Sequence, residues 1–338
     1  MLPLASGAVE FDPAMRVLFL RARAGRALDT VRHMDLTCVQ SFAPDRDALE
    51  RSGFKVAAEA SDGQFGTVLV LPARQRQEAR AQLAEAVSSA VEGGLVVACA
   101  PNTEGARTVE KDLSDLLGDV DNVNKNKCRA VWGQVRQDAV ARRLLEGWLE
   151  LDRPREVLDG AYRSRPGLFA WDRIDPASRL LAGLVPETLK GRGADLGAGF
   201  GYLARTVLEK APKVTSMDLY EAERRALVLA EENLTGFRGR KVMNGVWCDV
   251  TKGIEGPYDF IVSYPPIHQT GKADRTDVGQ GFITAAAAGL RPGGEFYMVA
   301  NRHLPYEKTL SAAFAYVAHL SDEGGYKVIR AVKAKGGR

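Results

Sequence analysis

The sequence predicts an α/β protein built as two tandem units, each around a largely parallel sheet. Three observations lead there. Short apolar runs alternate with stretches of helical spacing, which is the pattern of βαβ units. That alternation occurs twice along the chain. The length, 338 residues, corresponds to about two domains at roughly 150 residues each. Hydrophobic residues make up 45% and charged residues 26%, an ordinary globular balance that excludes a collagen, a disordered tail or a disulfide miniprotein.

In the first half MRVLFL (15–20) and TVLVLP (67–72) read as strands. A helix follows, in which Ala79, Leu83 and Ala86 recur at helical spacing. GLVVACA (94–100) is the next strand, residues 106–117 a helix, and CRAVWGQV from Cys128 a last strand. In the second half the strands are GADLGA, KVTSMDLYE, KVMNGVW, YDFIVSY and GGEFYMVA. YLARTVLEKA and AERRALVLAEENL are helices between them. Residues 137–166 hold a candidate helix and an Arg/Pro/Gly-rich stretch, and are read as the connection. The domains expected are therefore residues 1–150 and 151–338.

Lys plus Arg number 46 and Asp plus Glu 43, a net charge of +3. That balance neither demands nor excludes a nucleic acid, because a basic patch is a local property. Cys38, Cys99, Cys128 and Cys248 form no CxxC pair and lie near no His at ligand spacing, so no metal site is expected. Reduced thiols in a cytoplasmic protein are expected instead. No run of about 18 apolar residues suggests a membrane span. The opening MLPLASGAVEFDP has no basic region followed by a long apolar run, so no secretory signal is expected.

Asp195, Gly197, Gly199 and Gly201 form the loop DLGAGFG between a strand and a helix. Glycine lets the backbone turn tightly and approach a ligand closely, and the helix that follows offers free N–H groups. Dinucleotide folds place a related loop here. The GxGxG spacing led by an acid favours S-adenosylmethionine (SAM), which has an ammonium to hold and no pyrophosphate, over a nucleotide cofactor. An acid ending the second strand would bind ribose hydroxyls about 20 residues on. Glu221 is favoured for this, with Asp218 the alternative inside the strand. Either could instead open the next helix. Asp249, after the third strand, is a candidate partner for the adenine amino group or a plain turn former.

After the fourth strand comes Ser263-Tyr264-Pro265-Pro266-Ile267-His268. With this turn, the DLGAGFG loop, RPGLFAWD (165–172), Asp175 with Ser178, GQGFI (279–283), RPGGE (291–295), VANRHLPY (299–306) and YKVIR (326–330), residues 160–332 resemble a class I SAM-dependent methyltransferase. More narrowly, they resemble the RsmC/RlmG group of ribosomal RNA guanine-N2 methyltransferases. The first half, through VLPARQRQ (70–77) and Lys127-Cys128, is similar to that group's N-terminal domain, a degenerate copy of the fold. The resemblance implies two tandem Rossmann-like methyltransferase domains, the second a seven-stranded class I sheet. It implies N-methylation of a guanine amine in 16S rRNA, with SAM as donor, no metal, and the rRNA or 30S subunit as partner. A cytoplasmic monomer is expected.

The resemblance assigns catalytic roles to Tyr264, Pro265, Pro266 and His268. Ser263 joins the cofactor set, and Ile267, Asn301 and Arg302 the substrate set. In the family the strand ends Asn-Pro-Pro-Phe. An amide oxygen and a main-chain carbonyl orient the amine lone pair, and the aromatic stacks on the base. Here Tyr264 stands for Asn and Ile267 for Phe. A hydroxyl replaces a carbonyl, and a stacking face is lost. This leaves open a degenerate homologue that binds SAM or RNA without turnover, and an N-methyltransferase for a small molecule or protein. His268 can be a scaffold or a substrate contact. Asn301, Arg302 and His303 can line the crevice or cap a loop. Phe169 and Trp171 can cover the pocket or pack on the sheet. Arg163, Arg165, Arg173, Arg179, Arg238, Arg240, Lys241, Lys272 and Arg275 are candidates for phosphate contacts or for a solvated face.

Overall fold

The computed structural model describes Val9 and residues 14–60, 63–239, 241–266, 268–270 and 273–336. The chain forms two compact units. One runs to Arg155 and takes in Arg165–Gly167; the other comprises Glu156–Ser164 and the chain from Leu168 onward.

The first unit contains β1 (Val17–Leu20), β2 (Leu36–Val39), α1 (Ala43–Arg51), β3 (Val56–Ala57), β4 (Phe65–Val70) and α2 (Arg76–Ser89). It continues with β5 (Ala90–Pro101), α3 (Ala106–Leu117), β6 (Asp121–Lys125), β7 (Cys128–Gln134) and α4 (Arg142–Leu149). Its seven strands run in the order β3-β2-β1-β4-β5-β7-β6. The pairings from β3 through β5 are parallel, and β7 runs antiparallel to both β5 and β6. The next strands, β8 (Arg155–Val157) and β9 (Tyr162–Ser164), form a separate two-stranded ladder.

The second unit contains α5 (Pro176–Leu184), β10 (Gly191–Leu196), α6 (Tyr202–Lys210), β11 (Val214–Glu221), α7 (Arg224–Asn233), β12 (Val242–Trp247) and β13 (Tyr258–Ser263). Then come β14 (His268–Thr270), β15 (Ala273–Arg275), α8 (Thr276–Gly289), β16 (Leu290–Asn301), α9 (Glu307–Ala313), β17 (Tyr316–Glu323) and β18 (Tyr326–Val332). The main sheet runs β12-β11-β10-β13-β16-β18-β17. Numbered within each unit, both sheets have one order. The second is the seven-stranded sheet the family resemblance implies, and the first, expected only as a degenerate copy of that fold, has seven strands as well.

Strand alternation builds a core on each sheet face. Tyr297 and Val299 of β16 join Phe260 and Val262 on one side. Phe296, Met298 and Ala300 join Ile261 on the other. Helix starts follow local chemistry. Asp175 accepts from Ala177 N (2.9 Å) and Ser178 N (3.1 Å) at the head of α5, with Pro176 in its first turn. The strands at the sheet centres match the apolar runs. In the two main sheets the apolar pattern misses β2, β3, β6, β17 and β18, the last a mostly buried strand whose Lys327 and Arg330 interrupt its apolar run. The first two are short, and β6 (DNVNK) and β17 are edge strands with mostly exposed, polar side chains.

Gly193 leaves room on β10 for the ring of Phe260, its register partner on β13. A Cβ there would stand 2.1 Å from Cζ of the buried Phe260. Gly193→Ala is expected to lower stability by about 1–3 kcal/mol through overpacking. Urea unfolding checks this: the midpoint should fall at constant m-value, and Phe260→Leu in the same chain should restore part of the loss.

Candidate active site

The register sets the site. Leu196 ends β10 beside Tyr220 of β11 and Ser263 of β13. The glycine loop therefore emerges between the ends of two neighbouring strands. Gly197 N and Ala198 N both donate to Tyr220 O, at 2.8 and 3.1 Å. Gly197 has φ +78°, the left-handed region, and a Cβ on it would lie 3.6 Å from Tyr264 O. The proline turn thus borders the glycine loop. At Gly201 (φ +92°) a Cβ would lie 3.2 Å from Ala230 Cα, so this glycine lets α6 start against α7. Gly199 (φ +55°) turns the loop between them.

Asp195 is fully buried. Its Oδ2 accepts from Ala204 N in the first turn of α6 (3.0 Å), while Oδ1 is buried with no partner among the described residues. Burial pushes its pKa up to about 7; the Ala204 N–H opposes the shift and the Glu221 charge adds to it. Glu221 closes β11. Its Oε2 accepts from Gly199 N (2.7 Å) and its Oε1 from Glu223 N (2.9 Å). Burial raises the pKa of this carboxylate, and the backbone donors Glu223 and Gly199 act against that.

Asp218 stands elsewhere. Its Oδ2 accepts from Arg192 (2.6 Å) and from Tyr258 OH (2.7 Å), and its Oδ1 from Asn244 (2.8 Å). It sits inside β11 as the hub of a polar network, with its acceptors engaged by the sheet. Asp249 caps the turn after β12: its Oδ1 accepts from Thr251 N (3.0 Å) and Thr251 Oγ1 (2.6 Å). Cys248 N donates to Glu221 O (3.1 Å), so the ends of β11 and β12 lie side by side. The buried Ser263 hydroxyl donates to Leu196 O (2.7 Å) and ties β13 to the base of the glycine loop.

Tyr264 is half-buried and Pro265 buried. Burial pushes the Tyr264 hydroxyl far above its ordinary pKa, with Asp175, Tyr326 and Tyr306 adding to the shift. The ring of Phe169 meets Tyr264 edge-on at 5.8 Å between centroids, and Phe169 is 64% exposed. Trp171 instead packs with Tyr162, Leu168 and Phe200. Sequence alone did not separate these two aromatics. It also did not place Asp175 near Tyr264. Ile267 and Lys272 lie outside the described residues, as do the side chains of His268 and Arg275.

Asn301 ends β16, and its Oδ1 is buried without a partner among the described residues. Arg302 is held by Asp322, to whose main-chain oxygen Nη2 donates at 2.9 Å. Among the arginines suggested for phosphate, Arg163 pairs with Glu232, Arg165 with Asp152 and Arg173 with Asp172. No group of three or more His, Cys, Asp or Glu able to hold a metal ion occurs among the described residues. None of their helices is long and apolar enough to cross a membrane.

A sheet of this order with a glycine loop after its first strand, an acid ending its second and a Pro-Pro turn after its fourth defines a class I methyltransferase unit. The family model described as the methyltransferase small domain matches residues 160–330, and the chain belongs to that family. It is 30% identical over 292 residues to ribosomal RNA small subunit methyltransferase C of Salmonella paratyphi A, covering 83% of this chain and 80% of the relative. It is 30% identical over 261 residues to the protein of that name from Pectobacterium atrosepticum, covering 76% and 72%. Among solved structures, the T. thermophilus 16S rRNA N2 G1207 methyltransferase (RsmC), in complex with AdoMet and guanosine, matches with a TM-score of 0.80 at 25% identity. That match covers 96% of this chain and 90% of that one.

The Asp195 shift carries a sign. Between about pH 4 and about 7 the folded state retains the Asp195 proton, and the unfolded chain has released it. The folded state then binds more protons, so this group's contribution to stability falls as pH rises through that window and is level outside it. Asp195→Asn is expected to remove that fall. Urea midpoints of wild type and variant from pH 4 to 8 check it; parallel curves would sink the assignment.

Proposed function

We propose that this protein transfers a methyl group from SAM to the exocyclic amine of a guanine in 16S rRNA. The proximity of the Tyr264 carbonyl to Gly197 carries the reading. It puts the turn that would hold an amine against the loop that would hold the donor. The full-length likeness to the T. thermophilus enzyme solved with AdoMet and guanosine supports the same chemistry.

The residues fit SAM. The orphaned Oδ1 of Asp195 and the glycine-loop N–H groups suit its amino-acid end. The Glu221 carboxylate suits the ribose hydroxyls, as proposed for this strand end, while Asp218 is engaged elsewhere. Asp249, next to the residue whose N–H meets Glu221 O, would accept from the adenine amino group through Oδ2, which Lys252 approaches to 3.9 Å without a hydrogen bond at that distance. SAM, when bound, supplies a methyl on a cationic sulfur that departs as a neutral thioether. Catalysis is then positioning.

Ser263 fixes the turn to β10, and Pro265 and Pro266 shape it. The Tyr264 carbonyl would accept one amine hydrogen and help aim the lone pair at the methyl; Asn301, whose Oδ1 lacks a partner at the end of β16, is the candidate second acceptor. In that role Asn301 would supply the amide that position 264 lacks. Phe169 supplies the stacking face missing at Ile267. The nitrogen gains the methyl and loses a proton to solvent. His268 would join the catalytic set and Arg302 the substrate set. Residues 151–338 act as the catalytic domain and residues 1–150 as its degenerate companion, in a cytoplasmic monomer that works on the 30S subunit.

Tyr264 favours a second reading, a homologue that binds without turnover. Methyl transfer from labelled SAM to unmodified 30S subunits decides between them. Incorporation into 16S rRNA is expected, and the guanine corresponding to G1207, on which the T. thermophilus enzyme acts, is the first nucleotide to map. SAM binding without incorporation would select the second reading. Gly197→Asp is expected to abolish SAM binding by calorimetry, because a charged side chain would enter the loop at a left-handed position. Phe169→Ala is expected to weaken substrate use by roughly 5- to 100-fold in kcat/KM, the loss of one stacked base, with SAM affinity unchanged. An unaltered kcat/KM would remove Phe169 from the site.

A further inference from the structure

Lys327 has no part in holding the donor or the amine, yet it is 3% exposed, a rare place for a lysine. On β18 it lies in register with Ala300 of β16 and Asp322 of β17. It shares a sheet face with Ile329, two residues on, and that face carries the core of Ala300, Leu304, Tyr306 and Leu310. Taking an ammonium out of water is costly, and a hydrophobic side chain of similar volume would serve such a core as well.

Its partners show what the charge does. Nζ donates to Leu304 O at 2.6 Å and pairs with Glu307 at the head of α9. Leu304 N in turn donates to Asn301 O at 3.1 Å. Two hydrogen bonds therefore link the ammonium to the backbone of Asn301, the candidate second acceptor for the amine. The rest of this loop is fixed as well. Arg302 N donates to Gly325 O (2.8 Å). Gly279 of α8 leaves room for the Tyr306 hydroxyl, which would lie 2.0 Å from a Cβ there.

The first unit separates what belongs to the fold. Leu20, Val39 and Val70 form the row that Leu196, Tyr220 and Ser263 form in the second. Arg21 (φ +52°), Gln40 and Ala73 thus stand where Gly197, Glu221 and Pro266 do. Across the same sheet Ala100 of β5 is in register with Arg129 of β7, as Ala300 of β16 is with Lys327 of β18. Arg129 pairs with Glu110 in α3, the helix that follows β5, as Lys327 pairs with Glu307 in the helix that follows β16. A cation tied to that helix is common to both units. The bond to the loop is not. Arg129 Nε is buried without a partner among the described residues, and Pro101 stands where the second unit has Asn301. The held loop carbonyl and the amide behind it occur together, in the unit with the glycine loop.

We infer that Lys327 is a positioning residue for methyl transfer: by binding Leu304 O it fixes the backbone of Asn301, so that the amide stays aimed at the guanine amine. The inference rests on the rRNA methylation reading above.

The test combines single-turnover methyl transfer from labelled SAM to unmodified 30S subunits with amide hydrogen exchange, both on the full chain. Lys327→Met fills the space and cannot donate. It is expected to slow transfer about 10- to 100-fold, the cost of misplacing a reacting group by about 1 Å. SAM affinity by calorimetry should hold within about twofold, as for a site without shared contacts. Glu307→Gln keeps the bond to Leu304 and should stay within about fivefold of wild type, since its carboxylate is largely exposed. In an Asn301→Ala background Lys327→Met should slow transfer no further, because the group it positions is gone. A merely structural lesion would slow both backgrounds alike. The Arg302, Leu304 and Tyr306 amides should exchange faster in Lys327→Met, with those of β10 and β11 unchanged. If Lys327→Met does not fold, Lys327→Gln, shorter by one bond, is read in the same cycle. Unchanged transfer, equal losses in both backgrounds, or loop amides that exchange as in wild type would overturn the inference. An inactive wild type whose loop amides loosen in Lys327→Met would reject the rRNA methylation reading and uphold the hold of Lys327 on the loop.

Discussion

The site depends on the row Leu196, Tyr220 and Ser263 across the centre of the second sheet. Everything with chemistry hangs from the residues just beyond it. The row is locked by main-chain bonds from Gly197 and Ala198 to Tyr220 and by the Ser263 hydroxyl on Leu196 O. Slipping any of these strands by one residue would turn its side chains to the other face. Glu221 would then leave Gly199, and the proline turn would leave Gly197. Burial enforces the register, because Phe260, Val262, Ile261 and Leu196 are all fully buried among two different clusters.

The same parity separates the two acids of β11. Glu221 lies past the row, half-buried, with both oxygens reaching backbone donors at the strand end. Asp218 lies three residues earlier and inside the sheet, where Arg192, Tyr258 and Asn244 satisfy it. A buried carboxylate needs such partners. Asp195 is the exception. It is equally buried, yet one oxygen has none. A structural role would be served better by an amide or by a second donor. The cost of leaving this oxygen bare is intelligible if a cationic ligand completes it.

The legible parts of the fold were those under two-sided burial. MRVLFL, TVLVLP, GLVVACA and YDFIVSY each hold a run of three or more consecutive apolar residues, because helices cover both faces of the central strands. The edge strands β6 and β17 escape such a reading: β6 has the composition of a loop, and the apolar residues of β17 are interrupted by His319, Ser321 and Asp322 at an exposed edge. At the site, the glycine loop and proline turn announce themselves because their backbones permit few other residues. Phe169 and Trp171 do not, being two aromatics one residue apart. The left-handed Ala170 (φ +47°) between them turns the chain, and only coordinates reveal which ring is buried. Asn301 was one polar residue in a loop of several, until its unpartnered oxygen distinguished it from Arg302, which Asp322 holds.

The pair of units shows which features a fold needs and which a function needs. The strand order, the loop bond from Ala22 or Ala198 to the second strand, and the left-handed residue after the first strand persist in both. The last two belong to the backbone at the end of the first strand and are present in both units, with or without the glycine loop. The glycine, the acid and the second proline are present only in the second unit, and folding does not need them, since Arg21, Gln40 and Ala73 hold the same positions without disturbing the sheet. Retaining a left-handed backbone under an arginine is an unfavourable choice for a bulky residue. It is what remains when side chains are replaced on a backbone whose hydrogen bonds are already fixed by the strands on either side.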